Sequence, residues 1–172
     1  MWDNIFIETA QKIWAEKNKY KKTLNKQLEK TQPLALKLEI KGQLFALNEI
    51  KEALIKSKNK DYQKGYTTIG PHKDQIKYFF NNMEIKNTAS QGEKTMFFSH
   101  LKKAEAYIVK TNSTQTEKEP IILLDDILSK LDKNNIQAVL NLFLSETQTI
   151  ITHTNKEDFL GSKKINQINI HD

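Results

Sequence analysis

The chain has 172 residues, of which 38% are hydrophobic and 28% charged, and it contains no cysteine. A chain of this length forms one ordinary domain or two small ones, and the lack of cysteine excludes disulfides and thiolate metal sites. No apolar run approaches the roughly 20 residues of a membrane span, and the N-terminus lacks the basic and apolar regions of a signal peptide. We therefore expect a cytoplasmic protein with no membrane partner.

The net charge of +6 is distributed unevenly along the chain. Residues 1–64 hold 14 lysines and 8 acidic residues, whereas residues 65–172 hold 13 of each, and there is no arginine. A basic half indicates contact with nucleic acid. A solvated, lysine-rich helix explains the same charge without any partner, and the lack of arginine removes bidentate phosphate contacts. Charge alone leaves both interpretations open.

The N-terminal third is predicted to be mostly helical. Residues 3–31 contain neither Gly nor Pro, and their apolar side chains recur at three- and four-residue steps. This pattern predicts one long amphipathic helix of about 40 Å at 1.5 Å per residue. After Pro33, apolar residues alternate with others over residues 34–40, which predicts a strand. Residues 43–58 are predicted to form a second helix.

The pattern changes at residue 65, where the turn-rich stretch GYTTIGPHKD begins. The elements predicted beyond it are a hairpin of residues 75–80 and 83–86, a helix at 91–111, a strand at 121–124, a helix at about 133–144, a strand at 148–152, a short helix near 155–160 and a strand at 164–170. Strands that alternate with helices favour a parallel α/β sheet. We therefore divide the chain into a helical arm segment, residues 1–64, and an α/β lobe, residues 65–172.

The apolar run Ile121–Leu124 ends in two aspartates, Asp125 and Asp126. Such a run predicts a strand that is buried on both faces, and open α/β sheets bind ligands at the carboxyl ends of their strands. Paired carboxylates there are typical of a Walker B element, in which Asp125 coordinates Mg²⁺ through water and Asp126 orients or deprotonates the attacking water. Two solvated aspartates in a loop are the alternative.

Three further motifs surround the aspartate pair. Ser90-Gln91-Gly92-Glu93 fits a capping box, but also the phosphate-binding start of a helix that ABC-type ATPases use as their signature. Ser129-Lys130-Leu131-Asp132 is similar to the D-loop that follows Walker B in those proteins. His153 lies where they carry a histidine that senses the γ-phosphate, although a lone histidine is usually structural. The order of the motifs favours an ABC-type ATPase.

A phosphate-binding P-loop is the element that these motifs lack. Only Gly65 and Gly70 have the glycine spacing of G-x-x-x-x-G-K-[ST], but Pro71 and His72 stand where Lys and Ser or Thr are required. Proline also removes an N–H donor from the loop. We therefore expect ATP and Mg²⁺ to bind only with a further lobe that supplies the P-loop, and we expect no ATP hydrolysis by these residues alone.

The stretch from Asp61 to Asp74, DYQKGYTTIGPHKD, resembles a segment ending in GPHRDD in the RecF family, and its spacing to SQGE and to LLDDILSKLD also fits. Trp2-Asp3 before a long helix resembles the start of the family's helical arm. The resemblance covers essentially the whole chain but only the C-terminal half of the family, without the lobe that carries Walker A. Lys73, Gln75 and residues 93–95 depart from the family's pattern.

This resemblance implies the C-terminal part of an ABC-type ATPase head, a parallel sheet with helices, joined to an N-terminal helical arm. It implies an ATP-dependent homodimer that binds double-stranded or gapped DNA through phosphate contacts of arm lysines and helps RecO and RecR to load recombinase. The residues that it assigns are Asp125 and Asp126 for Mg²⁺ and water, His153 as the phosphate sensor, and Ser90, Gln91, Gly92, Glu93, Ser129 and Asp132 for the nucleotide across the dimer.

Two other functions remain open on the sequence. The arm and the lobe could form a non-enzymatic DNA-binding or interaction module that no longer uses ATP. The aspartate pair could instead serve a metal-dependent phosphohydrolase, although no further metal ligands lie near it in the sequence.

Overall fold

The computed structural model describes residues 2–30, 35–44, 46–112, 119–143, 148–159, 166 and 168. The chain divides into two compact units, Met1–Glu84 and Ile85–Asp172. The sequence pattern placed the division after residue 64, but the hairpin that follows pairs with the strand before it and so lies in the first unit. No helix within the described ranges has the length and apolar character of a membrane span.

The first unit combines two helices with an antiparallel sheet. Its elements are α1 (Trp2–Glu29), β1 (Leu36–Lys41), α2 (Leu47–Lys64), a 3₁₀ turn (Pro71–Lys73), β2 (Gln75–Phe80) and β3 (Met83–Glu84). The sheet order is β1-β2-β3, and the predicted hairpin is confirmed: Asn81 and Asn82 turn the chain with φ of 47° and 65°, as tight hairpins require. The helix predicted at 43–58 instead runs to Lys64, because the left-handed Gly65 is what ends it.

One part of the core of the first unit lies between α1 and α2, and leucines of α1 and β1 are also buried. Ile7, Ala10 and Trp14 of α1 pack with Ile50 of α2. Trp14 also donates its indole N–H to the two carboxylate oxygens of Asp74, at 2.9 and 3.1 Å. The same carboxylate forms an ion pair with Lys17 at 2.8 Å and is 1% exposed. Asp74 therefore fixes the turn before β2 to the first helix.

Asn25 of α1 bonds the outer edge of β1. Its side-chain amide donates to the carbonyl oxygen of Leu38 at 2.9 Å, and its Oδ1 accepts from the Leu38 N–H at 2.8 Å. The other edge of β1 pairs with β2. One side chain thus occupies both backbone groups that Leu38 turns away from the sheet.

The second unit places helices on one side of a parallel strand pair. Its elements are α3 (Ile85–Thr88), α4 (Gln91–Asn112), β4 (Ile122–Asp125), a 3₁₀ turn (Ile127–Lys130), α5 (Lys133–Phe143), β5 (Thr149–Thr152) and a 3₁₀ turn (Lys156–Phe159). β4 and β5 pair in parallel, so the predicted parallel sheet is confirmed here. The strand predicted at 164–170 lies outside the described residues, apart from two single positions without assigned structure.

The prediction that the strand before Asp125 is buried on both faces is wrong. Ile122 and Leu124 are buried in a core with side chains of α4 and α5. Leu123 is 71% exposed, and its in-register partner Ile150 on β5 is also exposed. The described helices cover only one face of the pair, so its second face remains apolar and open.

Candidate functional site

The two aspartates lie at the carboxyl end of β4, and Thr152 of β5 bonds both. Asp125 is the last residue of β4 and pairs in register with Thr152. The Thr152 hydroxyl donates to Asp125 Oδ1 at 2.5 Å. The Asp126 N–H donates to the same hydroxyl at 3.0 Å and to the Thr152 carbonyl at 3.1 Å. Thr152 therefore sets the positions of both aspartates.

Asp126 turns the chain out of the sheet. Its backbone is left-handed, with φ 47° and ψ 29°, a conformation that aspartate tolerates better than most side chains. Its carbonyl accepts a hydrogen bond from the Ser129 hydroxyl at 3.0 Å. The predicted D-loop serine is thus brought to the aspartate pair, where it stabilises the turn that follows β4.

The structure places His153 beside Asp126. Its side chain is 3% exposed, and its Nδ1 lies 3.7 Å from Asp126 Oδ1. That distance exceeds a hydrogen bond. The ring meets Phe159 edge to face, with 5.7 Å between centroids. Phe159 therefore holds the imidazole in place next to the carboxylate.

The aspartate pair offers part of a magnesium site. Both residues are exposed, and carboxylate oxygens are ligands that Mg²⁺ prefers. One carboxylate oxygen of Asp125 accepts a hydrogen bond from Thr152. The second oxygen of Asp125 accepts no hydrogen bond from the residues that the structure describes. Among those residues, no three acidic or histidine side chains cluster as a metal site. The donor set fits an ion held jointly with water and with the phosphates of a nucleotide.

The predicted signature residues form the capping box that was the structural alternative. The Ser90 N–H donates to Glu93 Oε2 at 2.7 Å, and the Glu93 N–H donates to the Ser90 hydroxyl at 3.3 Å. Hydrogen bonds to its carboxylate from the backbone N–H and then the side chain of Ser90 lower the pKa of Glu93. Gln91 is exposed at the first position of α4. The motif thus caps the helix, and its contact with phosphate stays a prediction.

Gly92 brings the start of α4 close to the segment that follows β4. A β-carbon at this position would lie 3.8 Å from Leu131 Cδ2, an ordinary contact. The backbone of Gly92 is not left-handed. The fold therefore does not require glycine at this position. In the functional interpretation, glycine is present because it lets a ligand approach the backbone closely.

Asp132 has a structural role that the sequence analysis missed. Its Oδ1 accepts from the Asn135 N–H at 2.9 Å, and its Oδ2 accepts from the Asn135 side-chain amide at 2.7 Å. These bonds lower the pKa of Asp132. An aspartate directly before a helix is the signal for such an N-cap. The predicted nucleotide contact of Asp132 would have to use a carboxylate that already caps α5.

Lysines line the solvent face of the arm helix α1. The exposed lysines Lys12, Lys19, Lys22 and Lys26 recur at helical spacing on one side. The buried residues of α1 lie on the opposite side. The ammonium groups of these four residues, which we call the lysine stripe, lie along that side together with the exposed carboxylates of Glu8 and Glu16.

Comparison with known proteins identifies relatives that share one name. The chain is 38% identical over 112 residues to the DNA replication and repair protein RecF of Agathobacter rectalis, covering 65% of this chain and 30% of that protein. Identity to RecF of Lachnoclostridium phytofermentans is 30% over 168 residues, which covers 95% of this chain and 46% of that protein. No protein-family model matches the chain.

Solved structures agree with these relatives. The recombination mediator protein RecF-ATP of the RecFOR pathway matches with a TM-score of 0.64 at 25% identity, covering 90% of this chain and 44% of that one. RecF-ATPrS of the same pathway gives 0.59 at 28% identity, covering 91% and 46%. The chain spans less than half the length of the proteins that it matches. By sequence and by fold, this chain is a homologue of the RecF proteins.

Proposed function

We propose that this chain supplies the Walker B, signature and D-loop part of a RecF-type ATP-binding head that acts in DNA recombination and repair. The observation that carries the proposal is the convergence of Asp125, Asp126, Thr152 and His153 at the carboxyl ends of β4 and β5. A paired-carboxylate strand end is where α/β sheets hold a nucleotide with its metal. The similar proteins named RecF-ATP and RecF-ATPrS support a nucleotide as the ligand.

Each residue has a distinct part in this proposal. Asp125 holds Mg²⁺ through water by the oxygen that Thr152 leaves free, and Asp126 orients or deprotonates the attacking water. His153, buried against Phe159, contacts the terminal phosphate. Thr152 keeps the carboxylates in register. When bound, ATP would supply the phosphoryl group, and Mg²⁺ would supply the positive charge that makes two adjacent carboxylates compatible.

The remaining motifs act across a dimer. Ser90, Gln91, Gly92 and Glu93 approach the nucleotide of a second copy through the N-terminus of α4. Ser129 and Asp132 lie at the contact between the copies. A P-loop from another segment completes the pocket, and its lobe covers the open apolar face of β4 and β5. RecO and RecR are the partners expected for loading recombinase at gapped DNA.

The enzymatic proposal is tested by complementation. The chain is mixed with a separately produced P-loop lobe of a RecF relative, and Mg-ATP hydrolysis is measured. We expect activity that neither part shows alone, and we expect Asp126→Asn to lower it by roughly a hundredfold or more, the size of a general-base effect. Glu39→Gln, a partly exposed carboxylate of the first unit, serves as the control. No gain in ATP binding or hydrolysis on mixing would reject the proposal.

Contact with duplex DNA is proposed for the lysine stripe of α1. Replacing Lys12, Lys19, Lys22 and Lys26 by glutamine should weaken duplex binding and flatten its salt dependence by about 0.9 for each phosphate that the helix no longer neutralises. Replacement of four exposed lysines of the second unit, Lys86, Lys102, Lys110 and Lys133, is the matched control. An equal decrease in both variants would show that net charge, and not the stripe, governs binding.

A non-enzymatic DNA-binding module is the second candidate. It is favoured because the lysine stripe is complete within α1, whereas the aspartates provide only part of a metal site. In this case Asp125→Asn and Asp126→Asn leave DNA binding unchanged, with or without Mg-ATP and the P-loop lobe. A DNA affinity that depends on ATP, and no longer does so in those variants, would favour the ATPase head instead.

A further inference from the structure

The hydroxyl group of Thr152 has a fixed orientation. A hydroxyl has a single proton to donate, and it can accept hydrogen bonds as well. The Asp126 N–H, which can only donate, lies 3.0 Å from the hydroxyl oxygen of Thr152. The hydroxyl therefore accepts from Asp126, and its own proton is directed to Asp125 Oδ1 at 2.5 Å.

Strand pairing keeps this hydroxyl in place. Asp125 and Thr152 are in-register partners at the ends of β4 and β5, and the Asp126 N–H also donates to the Thr152 carbonyl at 3.1 Å. The β-branched side chain of threonine is restricted in rotation about its first side-chain bond. The hydrogen bond from Thr152 to Asp125 thus follows from the register of the two strands.

The hydroxyl acts differently on the two aspartates. It donates to the carboxylate of Asp125, whereas it only accepts from the backbone of Asp126. A hydrogen bond from a hydroxyl to a carboxylate oxygen is one of the strong ones, because its acceptor is charged. Loss of the hydroxyl would therefore change the oxygens that Asp125 can offer to a ligand, but not those of the Asp126 side chain.

Asp125 keeps one carboxylate oxygen for a cation. Its second oxygen accepts no hydrogen bond from the residues that the structure describes. In the proposed function, this second oxygen holds Mg²⁺ through water. Coordination of a cation by both oxygens at once would have to displace the Thr152 hydroxyl from Oδ1.

Divalent cations differ in how they use a carboxylate. Mg²⁺ requires nearly octahedral geometry, keeps several of its waters and is bound by few carboxylates. Ca²⁺ takes about 6–8 oxygen ligands in flexible geometry and accepts one or both oxygens of a carboxylate. A carboxylate that already has one oxygen in a strong hydrogen bond therefore suits Mg²⁺ better than Ca²⁺.

We propose that Thr152 is a specificity-determining residue of the aspartate pair: by holding Oδ1 of Asp125, its hydroxyl favours Mg²⁺ over Ca²⁺. This inference rests on the proposed function, in which Asp125 and Asp126 hold a metal ion together with a nucleotide. It adds to that function a residue that contacts the metal ligand and sets the choice of metal without binding the metal itself.

The preference for Mg²⁺ over Ca²⁺ is measured by NMR. The ¹⁵N-labelled chain of 172 residues is titrated with each cation, alone and then with the P-loop lobe and a non-hydrolysable ATP analogue. The amide shifts of Asp125 and Asp126 give a dissociation constant for each cation. Thr152→Val keeps the branched shape and removes the hydroxyl. We expect this variant to lower the ratio of the Ca²⁺ to the Mg²⁺ dissociation constant by roughly tenfold, the effect of one hydrogen bond to a charged group.

Two further variants separate selectivity from stability. Thr152→Ser keeps the hydroxyl and should retain the parent ratio. Thr154→Val is the matched control, because the exposed Thr154 makes no hydrogen bond within the described ranges. A general loss of structure would weaken the binding of both cations alike and leave the ratio unchanged. Unfolding curves check that all variants stay folded.

Failure of this inference and failure of the proposed function give different results. If the cations bind and Thr152→Val has the parent ratio, the selectivity inference is rejected and the proposed metal site stands. An equal change of the ratio in Thr152→Ser or Thr154→Val would also reject the inference. If neither cation shifts the amides of Asp125 and Asp126 in the presence of the P-loop lobe and the ATP analogue, the pair is not a metal site and both proposals are rejected.

Discussion

At the scale of single residues, Asp74 is a carboxylate on which the first unit depends. It is almost fully buried and accepts from Trp14 and Lys17. Asp74→Ala leaves the indole N–H and the ammonium without their acceptor, and breaking a buried pair typically costs about 3–5 kcal/mol. Because Lys17 is partly exposed, we expect a decrease of about 3 kcal/mol in the free energy of unfolding, measured with urea.

Lys37→Ala provides the comparison for Asp74→Ala. Lys37 pairs with Glu39 at the same distance of 2.8 Å, but both side chains are partly or well exposed. An exposed pair contributes about 0–1 kcal/mol. If both variants were destabilised equally, burial would not be what makes the Asp74 interaction important.

Asp61, Glu93 and Asp132 predict weaker folding in acid. The pKa of each is lowered in the folded chain, chiefly by hydrogen bonds from Thr68, Ser90 and Asn135 respectively. Their contribution is complete above the unfolded carboxyl pKa of about 4 and is lost as pH falls through the lowered values. Asp61→Asn should therefore flatten the dependence of the urea midpoint on pH below about pH 4, and an unchanged slope would contradict this.

His100 predicts a second loss of stability on acidification, which begins at a higher pH than the loss due to the carboxylates. Burial, and then the charge of Lys103, lowers the pKa of this imidazole. A lowered histidine pKa means that the unfolded chain binds the extra proton first, so stability falls as pH drops below about 6.5. His100→Leu should remove the decline that begins as pH falls below about 6.5 while leaving the carboxylate phase. A decline that persists in the variant would assign it to another group.

At the scale of elements, a substitution in the first turn of α4 can test the proposed phosphate contact without lowering stability. A methyl group at Gly92 has room beside Leu131, and alanine favours a helix over glycine by up to about 1 kcal/mol. Gly92→Ala should therefore leave thermal stability unchanged or slightly raised. With the P-loop lobe present, the same variant should lose most ATP hydrolysis, because its methyl group blocks close approach of phosphate. A destabilised variant would remove this distinction.

The strand β4 offers a paired test of its one-sided burial. Leu124 is buried in the core and Leu123 is exposed, although they are adjacent and identical. Leu124→Ala should cost about 2–5 kcal/mol of unfolding free energy. Leu123→Ala should change it by less than about 0.5 kcal/mol in the isolated chain. If a P-loop lobe covers this face, Leu123→Ala should weaken binding of that lobe.

The sequence predicted the helices and strands better than it predicted which of their faces are buried and which side chains meet. The hairpin was predictable from its turn residues, because Asn81 and Asn82 favour the left-handed turn that joins β2 and β3. The apolar run before Asp125 was wrongly predicted to be buried on both faces, because an apolar run does not show which of its faces are covered by other residues of the chain. The partnership of Thr152 with both aspartates depends on strand register, which local patterns do not specify.

At the scale of the whole molecule, the site is divided among segments far apart in the chain. Asp125 and Thr152 are 27 residues apart, and the proposed pocket also needs a P-loop from elsewhere. Motif order along the chain predicted that Asp126 and His153 each follow a strand, and the structure places their side chains side by side. The roles of Ser90 and Asp132 were harder to predict, because the residues that favour phosphate contact at helix starts also favour capping.

The bond between Asn25 and Leu38 bears on how the protein behaves at high concentration. A strand at the margin of a sheet can recruit a strand from another chain through its unpaired backbone groups. In β1 the amide of Asn25 already occupies the two groups of Leu38 that face outward. α1 thereby protects β1 from edge-to-edge aggregation, and removal of the Asn25 amide would leave the edge of β1 open to pairing with another chain.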